Sequence, residues 1–279
     1  MHGDCRHSET QLQYWGRFVE VINDSIYNHP RYYDLVFGAD CAAETRFICD
    51  VNQKYLNNRA TRLFEPACGT GRLMFSLAKR GFEVEGIDLN PKAIEFSNRR
   101  SDRHGYPQTA FVADMASFRA KRKWDLAFNT VNSFRHLTDT ASTLSHLQCM
   151  AEQTKRGGIY LIGFHLTPQT VEPTDWESWS ARRGNLSVIT KMWTIDRSPR
   201  ERLETFGMHF DIYTPTRLFR ISDELRMRSY TSIQFASLIE KSGRWEIVGT
   251  YDFTYDINQP ITIDPSSEDV VYILKKKQN

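Results

Sequence analysis

The chain has 279 residues, of which 40% are hydrophobic and 25% are charged, which is ordinary for a soluble globular protein of one large α/β domain with an insertion or of two small domains. The formal net charge of +2 excludes a strong general attraction to nucleic acid. The five cysteines are scattered and form no C-x-x-C pair, so neither a zinc site nor a disulfide framework is indicated.

The N-terminal sequence is polar and lacks the apolar region of a secretory signal. No apolar run approaches the roughly 18–20 residues that a membrane span needs. We therefore expect a cytoplasmic protein that has no membrane partner.

Residues 1–58 are expected to form a helical lid ahead of the main domain. Phe18, Val19 and Ile22 have the spacing of a short amphipathic helix. A turn signal and an aromatic cluster follow in HPRYYDLVFG. The apolar residues of 40–57 then recur at helical spacing and predict a second helix.

The stretch TRLFEPACGTGRLMFSLAKRGFEVEGIDLN, residues 61–90, reads as a strand, a turn of small residues, a helix and a second strand. Gly69 and Gly71 allow the backbone to turn sharply and a ligand to approach closely. Asp88 follows them by roughly 20 residues, where an acid accepts hydrogen bonds from two ribose hydroxyls. The third glycine of G-x-G-x-x-G and a phosphate loop are both missing, so the pattern indicates a nucleoside-bearing cofactor other than a dinucleotide.

Strands and helices continue to alternate through residues 59–168. Alternation of this kind implies a parallel sheet with right-handed crossovers, and ligands of such sheets lie at the carboxyl ends of the strands. The predicted elements are strand 62–65, helix 72–80, strand 83–88, helix 91–100, strand 109–113, strand 125–130, helix 139–154 and strand 159–164.

The pattern changes after residue 168. Three segments within 185–228 alternate polar and apolar residues loosely, as in a half-exposed antiparallel sheet. Residues 169–228 are therefore expected to be an inserted antiparallel sheet that roofs the substrate or forms a dimer contact. Residues 229–279 supply a helix and two strands that complete the core sheet.

E-P-A-C-G-T-G followed by G-I-D resembles motif I and the next motif of the class I S-adenosylmethionine (SAM) methyltransferases. The resemblance implies an α/β fold with a Rossmann-like sheet whose last strand is antiparallel, SAM as cofactor and S-adenosylhomocysteine as product. It also implies that Glu65 lies near the methionyl amino group and that Asp88 binds the ribose. The family often has glycine where this chain has Ala67, which is also small.

The same resemblance assigns further cofactor contacts. It implies that Asp114 hydrogen-bonds the adenine amino group, that the backbone of Met115 reads a ring nitrogen and that Leu89 packs on the adenine. Asn129 is expected to contact the methionyl part. The alternative for Asp114 is a turn cap.

The segment Y-Y-D-L-V-F resembles the Y-D-x-x-[FY] segment of the sugar-amine and glycine-type N-methyltransferases, in which an N-terminal lid closes over SAM. This implies that Tyr33 contacts the carboxylate end of the cofactor. The glycine-type enzymes bind the same carboxylate with an arginine shortly before an A-E pair. Here Cys41 precedes that pair and the nearest arginine is Arg46, so the sequence assigns no arginine to this role.

Transfer of a methyl group from a sulfonium mainly requires alignment of the nucleophile, and an amine or hydroxyl acceptor adds the need for a general base. In small-molecule members the loop N-T-V-N-S-F-R-H-L lies beside the reactive methyl group. His136 is the first candidate for the base because histidine titrates near neutrality, and a structural histidine is the alternative. His165, directly after a strand, is the second candidate.

Four residues are expected to face the acceptor. Asn132, Ser133 and Arg135 follow strand 125–130, and turn or cap chemistry is the alternative for the first two. His209 reaches substrate if the inserted sheet roofs the site. His146, in the middle of a helix, is expected to be a surface or packing residue.

The leading hypothesis is a SAM-dependent methyltransferase that acts on a nitrogen or oxygen of a small molecule, without a metal. A homodimer through the inserted sheet is the expected assembly. A near-neutral charge, a lid and an inserted sheet favour a small acceptor. Two alternatives stay open: a protein or peptide methyltransferase that docks its substrate on the inserted sheet, and a non-catalytic subunit that uses the same fold for assembly.

Overall fold

A computed structural model of the chain describes residues 19–38, 40–170 and 174–278. The strands are β1 (Glu20–Asn23), β2 (Arg62–Pro66), β3 (Glu83–Asp88), β4 (Ala110–Val112), β5 (Trp124–Asn129), β6 (Thr154–His165), β7 (Trp176–Arg183), β8 (Leu186–Ser198), β9 (Leu203–Tyr213), β10 (Leu218–Arg228), β11 (Trp245–Tyr251) and β12 (Asp269–Lys276). The helices are α1 (Pro30–Phe37), α2 (Ala42–Leu56), α3 (Arg72–Ala78), α4 (Pro91–Arg103), α5 (Thr140–Gln153) and α6 (Ser232–Ser242), with short 3-10 turns at Ile26–Asn28 and Ser133–His136.

The central sheet has seven strands in the order β11-β12-β6-β5-β2-β3-β4. Strands β2 to β6 are parallel, whereas β12 is antiparallel to both β6 and β11. Neighbouring side chains of each strand enter different cores, since Leu63 packs with α2 and α3 while Phe64 stacks on Trp124 with ring centroids 3.7 Å apart. The predicted Rossmann-like sheet with an antiparallel last strand is confirmed.

Two helix starts shape the ligand-binding edge of this sheet. α3 begins after Gly71, whose φ of 69° lies in the left-handed region. α4 begins at Pro91, and the side chain of Asn90 caps it by accepting hydrogen bonds from the N–H groups of Lys92 and Ala93. The loop between β2 and α3 and the turn after β3 are therefore both fixed.

The second sheet has five strands in the order β1-β10-β9-β8-β7 and is antiparallel except for the parallel pair β1 and β10. The helix predicted around Val19 and Ile22 is wrong, because β1 obtains its hydrogen bonds from β10 and not from its own neighbours; Phe18 lies outside the described residues. The sequence also missed β7, an edge strand whose side chains are mostly exposed and so lack the alternation of a half-buried strand.

One carboxylate joins α1 to both sheets. Asp34 is buried, and its Oδ1 accepts hydrogen bonds from Thr70 Oγ1 at 3.0 Å and from Arg100. Its Oδ2 accepts one from Nη1 of Arg183 at 3.3 Å. Since Thr70 precedes α3, Arg100 lies on α4 and Arg183 ends β7, this acid, here called the Asp34 junction, ties the lid helix to the core and to the second sheet.

Within the three described ranges, no helix combines the length and the apolar character needed to cross a membrane. The four cysteines found there are free thiols. In the same ranges, no three His, Cys, Asp or Glu side chains come together as a metal site.

Candidate active site

A cavity of about 780 Å³ lies at the carboxyl edge of the central sheet and is shared with the second sheet. Twelve of the residues predicted from the sequence line it: Tyr33, Glu65, Ala67, Gly69, Asp88, Leu89, Met115, Asn129, Asn132, Ser133, His136 and His165. Four predicted site residues do not line it: Gly71, Asp114, Arg135 and His209. The structure therefore brings together residues that lie up to 132 positions apart in the chain, as Tyr33 and His165 do (165 minus 33).

Asp88 is held at one end of this cavity by two backbone groups. Its Oδ2 accepts a hydrogen bond from the N–H of Gly69 at 2.8 Å, and its Oδ1 accepts one from the N–H of Asn90 at 2.8 Å. Burial raises the pKa of Asp88, and these N–H groups oppose that rise. Each oxygen retains acceptor capacity, which suits the pair of hydroxyls on a ribose.

Gly69 shapes the loop beside that carboxylate. Its φ of 53° is a backbone angle that residues with a Cβ rarely adopt. A Cβ here would meet only a ring carbon of Tyr33, at 3.6 Å, so the loop leaves room for a ligand between β2 and the lid helix. Ala67 adopts a similar φ of 54° without being glycine, which is a strained conformation on the cavity wall.

Two buried acceptor oxygens at the ends of β2 and β5 lack hydrogen-bond partners among the described residues: Glu65 Oε2 and Asn129 Oδ1. The carboxamide of Asn129 is oriented by its Nδ2, which donates to the carbonyl of Pro66 at 3.1 Å. Burial raises the pKa of Glu65 well above its usual range, although Arg72 lowers it. Buried polar atoms are normally paired, so these two oxygens fit a ligand that donates hydrogen bonds, such as an ammonium group.

Arg72 supplies a positive charge on the same wall. It binds Glu44 through both terminal nitrogens, with 2.8 Å between Nη1 and Oε2, and it lines the cavity. Burial raises the pKa of Tyr33, across the loop, to about 12, so its phenol is protonated at neutral pH. Arg72 and Tyr33 can thus donate hydrogen bonds to a carboxylate. Arg72 directly follows G-T-G in the sequence, whereas the family resemblance placed the carboxylate-binding arginine ahead of α2.

His136 pairs with a residue that the sequence did not single out. The Oη of Tyr27 lies 3.0 Å from Nε2 of His136, and the two rings meet edge to face. Burial and the neighbouring Arg135 lower the pKa of His136, while burial raises the pKa of Tyr27 well above its usual range. A neutral imidazole and a protonated phenol therefore face the cavity together. No local pattern signals this pair, because 109 positions separate its members.

The other polar residues on this wall of the cavity already make some hydrogen bonds within the protein. Asn132 Oδ1 accepts a hydrogen bond from the N–H of His165 at 3.0 Å, and Ser133 Oγ donates to the carbonyl of Val131 at 3.4 Å. Nδ1 of His165 pairs with Asp269 Oδ1 at 2.6 Å. The turn chemistry considered for Asn132 and Ser133 is therefore present, although both residues also line the cavity.

Two predicted acceptor contacts are wrong. Arg135 is buried in an ion pair with Glu204 and its Nε donates to the carbonyl of Arg228 at 2.9 Å, so its charge is used to join the β5 loop to the second sheet. His209 follows Met208, which lines the cavity, and successive side chains of a strand point to opposite faces. His209 therefore packs against Trp193 on the outer face of the sheet, with 4.7 Å between ring centroids.

Gly71 and Asp114 have structural explanations, and their cofactor contacts remain predictions. A Cβ on Gly71 would lie 2.1 Å from Oγ of Ser97, so glycine allows α3 to pack on α4. Asp114 Oδ1 accepts a hydrogen bond from the N–H of Ala116 at 2.8 Å, which is a turn cap.

His146 is a packing residue and not a surface residue. Its Nδ1 lies 2.9 Å from the carbonyl oxygen of Met115, and its Nε2 lies 2.8 Å from Oη of Tyr160. Burial lowers its pKa to about 4. This neutral histidine therefore supports the backbone of Met115, which lines the cavity.

The second sheet covers the other side of the cavity. Its contribution, here called the roof, consists of five apolar side chains from four consecutive strands: Trp179, Met192, Met208, Leu225 and Met227. Met192 and Met208 are direct partners in the register of β8 and β9. Glu177, on β7, is the roof's acidic neighbour.

Comparisons with known proteins identify the family of the chain. The family model described as "Methyltransferase domain" matches residues 57–198. The dTDP-3-amino-3,4,6-trideoxy-alpha-D-glucopyranose N,N-dimethyltransferase of Streptomyces venezuelae is 24% identical over 191 residues, which cover 67% of this chain and 77% of that protein.

Solved structures share the fold at low sequence identity. A S-adenosylmethionine-dependent methyltransferase from Clostridium acetobutylicum ATCC 824 has a TM-score of 0.72 at 17% identity, covering 91% of this chain and all of that one. The sugar N-methyltransferase KedS8 from Streptoalloteichus sp ATCC 53650 has a TM-score of 0.70 at 18% identity and covers 99% of this chain and all of that one.

Proposed function

The chain belongs to the methyltransferase-domain family, whose model matches residues 57–198, and from this premise we propose that it transfers the methyl group of SAM to the amine nitrogen of a small molecule. The observation that carries the proposal is a single cavity whose two ends present different functional groups. Asp88, Glu65 and Asn129 form an end that fits the cofactor, and Tyr27 with His136 forms an end that fits proton transfer.

The described residues fit SAM at each of its polar groups. Asp88 would accept hydrogen bonds from the ribose hydroxyls, and the unpaired oxygens of Glu65 and Asn129 would accept them from the ammonium group. Arg72 and Tyr33 would bind the carboxylate. SAM, when bound, supplies an electrophilic methyl group on a positively charged sulfur, and the acid of Glu65 adds a favourable charge near it.

His136 is the proposed general base. An amine nitrogen that takes up a methyl group must lose a proton, and a neutral imidazole with a lowered pKa is ready to accept it. Tyr27, held 3.0 Å from Nε2, orients the ring and provides a hydroxyl through which the proton can pass. The apolar roof lines the same cavity and limits the positions that the nucleophile can take.

Nitrogen is favoured over oxygen as the acceptor atom. The curated relative in Streptomyces venezuelae and the solved structure from Streptoalloteichus are both named N-methyltransferases. A confined cavity beneath a sheet also supports a small acceptor over a peptide, which would need an open groove. The location in the cytoplasm and a homodimer through the second sheet remain predictions; the exposed Trp176 beside Trp193 on the outer face supports the latter, and sedimentation would test it.

Calorimetry and a turnover assay test the proposal in two steps. SAM and S-adenosylhomocysteine are expected to bind the wild type, and Asp88→Asn is expected to weaken both at least tenfold because two charge-assisted hydrogen bonds become neutral. Asp102→Asn, the same change at an exposed site on α4, is the matched control. Release of S-adenosylhomocysteine with an amine panel then measures turnover, which His136→Gln is expected to lower about 100-fold. A wild type that binds no SAM overturns the proposal.

A further inference from the structure

We infer that the acceptor is an apolar amine that carries no phosphate or carboxylate group, an inference that rests on the proposed methyl transfer and names its substrate class. The acceptor must occupy the space between the Tyr27–His136 pair and the roof, since the opposite end of the cavity fits the cofactor. The chemistry of these two surfaces therefore defines what can bind there.

The five residues of the roof offer an acceptor apolar contact, and Glu177 is the acid beside them. Trp179, Met192, Met208, Leu225 and Met227 project from four strands onto one face of the second sheet. Methionine side chains are flexible and polarizable, so they adapt to alkyl and aromatic groups of different shape. A polyhydroxylated ring placed against this surface would lose hydrogen bonds to water without gaining replacements.

The opposite surface has few polar groups to spare. Asn132 Oδ1 and Ser133 Oγ already bond to the backbone, whereas Tyr27 and His136 bond mainly to each other. Besides the Tyr27–His136 pair, Nδ2 of Asn132 and Nε2 of His165 are left to contact an acceptor, which are fewer partners than a polyhydroxylated substrate would need.

The charge of the lining disfavours an anionic acceptor. Glu177 places a carboxylate beside the roof, whereas the other two acids of the lining, Glu65 and Asp88, belong to the cofactor end. Among the described lining residues Arg72 is the one arginine or lysine, and it is shared between Glu44 and, in the proposed function, the carboxylate of SAM. A diphosphate would meet repulsion here, while an amine, which is a cation in water, is attracted toward the site.

The inferred acceptor therefore differs from the nucleotide-linked amino sugar in the name of the Streptomyces venezuelae relative. The distinction lies in the five apolar side chains of the roof and in the lack of an unpaired basic side chain on the described lining. Both features are properties of this chain's own residues.

A binding panel on the complex with S-adenosylhomocysteine tests the inference. The apolar probes are benzylamine, 2-phenylethylamine, cyclohexylmethylamine and tryptamine, and the polar probes are glucosamine and UDP-glucosamine. We expect the tightest apolar amine to bind at least tenfold more tightly than either polar probe. Tighter binding of UDP-glucosamine, or no binding of any apolar amine, overturns the inference. Failure of S-adenosylhomocysteine itself to bind would instead count against the proposed function.

A substitution in the roof provides a second test. Met227→Gln keeps the length of the side chain and adds a polar amide. It is therefore expected to lower the affinity for the tightest-binding apolar amine about tenfold, while the affinity for S-adenosylhomocysteine stays unchanged. Ile233→Gln makes a similar change on α6, where the side chain is exposed and outside the cavity, and is expected to change neither affinity. Equal amine affinities in Met227→Gln and the wild type contradict the assignment of the roof to the acceptor.

Discussion

Replacing Glu65 by glutamine should change stability and cofactor affinity in opposite directions. The carboxylate is buried with Oε2 unpaired, and glutamine keeps its shape and the hydrogen bond that it accepts from the backbone of Met74. Losing a charged partner for the SAM ammonium costs about 2 kcal/mol, which is about a 30-fold weaker affinity. Removing a buried, unpaired carboxylate should stabilise the ligand-free protein by about 1–2 kcal/mol, which raises Tm by about 2–8 °C.

The sign of the pH dependence provides an additional test of this reasoning. Burial raises the pKa of Glu65 in the folded protein, so the native state binds more protons than the unfolded state and loses stability as pH rises above the ordinary value of 4.5. The stability advantage of Glu65→Gln should therefore be largest at neutral pH and should disappear below about pH 4.5.

Thermal unfolding without ligand and calorimetry with SAM measure the two effects of this substitution. Glu246→Gln, the same change at an exposed position of β11, is the control and should alter neither quantity. An unchanged affinity for SAM in Glu65→Gln would refute the assignment of this oxygen to the ammonium group. A lower Tm at neutral pH would refute the argument from burial.

Three further predictions address the base, the helix contact and the lid. Because burial lowers the pKa of His136 from 6.5, the acid limb of the pH profile of kcat should lie below pH 6.5 and should be lost in His136→Gln. A pH–rate profile measures this, and an acid limb above pH 7 would contradict the role of His136 as the base. Gly71→Ala should lower Tm more than Gly105→Ala in thermal unfolding, because both glycines have a positive φ but only a Cβ at position 71 would meet an atom within 4 Å. An equal decrease of Tm in the two variants would refute the packing of Gly71 against α4. Asp34→Asn should lower the affinity for SAM about tenfold and speed amide hydrogen exchange in Pro30–Phe37, with Asp102→Asn as the control. An unchanged exchange rate would contradict the role of the Asp34 junction in holding this helix.

The cofactor end of the site was the part most accessible to sequence reasoning. Glu65, Gly69 and Asp88 lie within a stretch of 24 residues (65 to 88), in a strand, turn, helix and strand whose geometry is local. Their arrangement follows once that unit is recognised. Arg72 lies in the same unit, but the direction of its guanidinium depends on Glu44 of α2, which the sequence does not connect to it.

The acceptor end depends on contacts between distant segments. Tyr27 reaches His136 only because β1 and the following turn dock on the second sheet. His209 shows how strand parity limits such reasoning: Met208 lines the cavity, and one position along β9 exchanges the inner face for the outer one. Arg135 was misassigned because its partner, Glu204, lies 69 positions away.

The parallel pair of β1 and β10 has a consequence for biosynthesis. Glu20 pairs with Phe219, so 199 positions separate the two partners (219 minus 20). Contacts of such high sequence separation form late, because a long loop must close first. The strands that surround the β2–α3 loop leave the ribosome long before β10 does. A nascent chain can therefore assemble the cofactor loop while Tyr27 still lacks its anchor, so the acceptor end of the cavity forms after the cofactor loop.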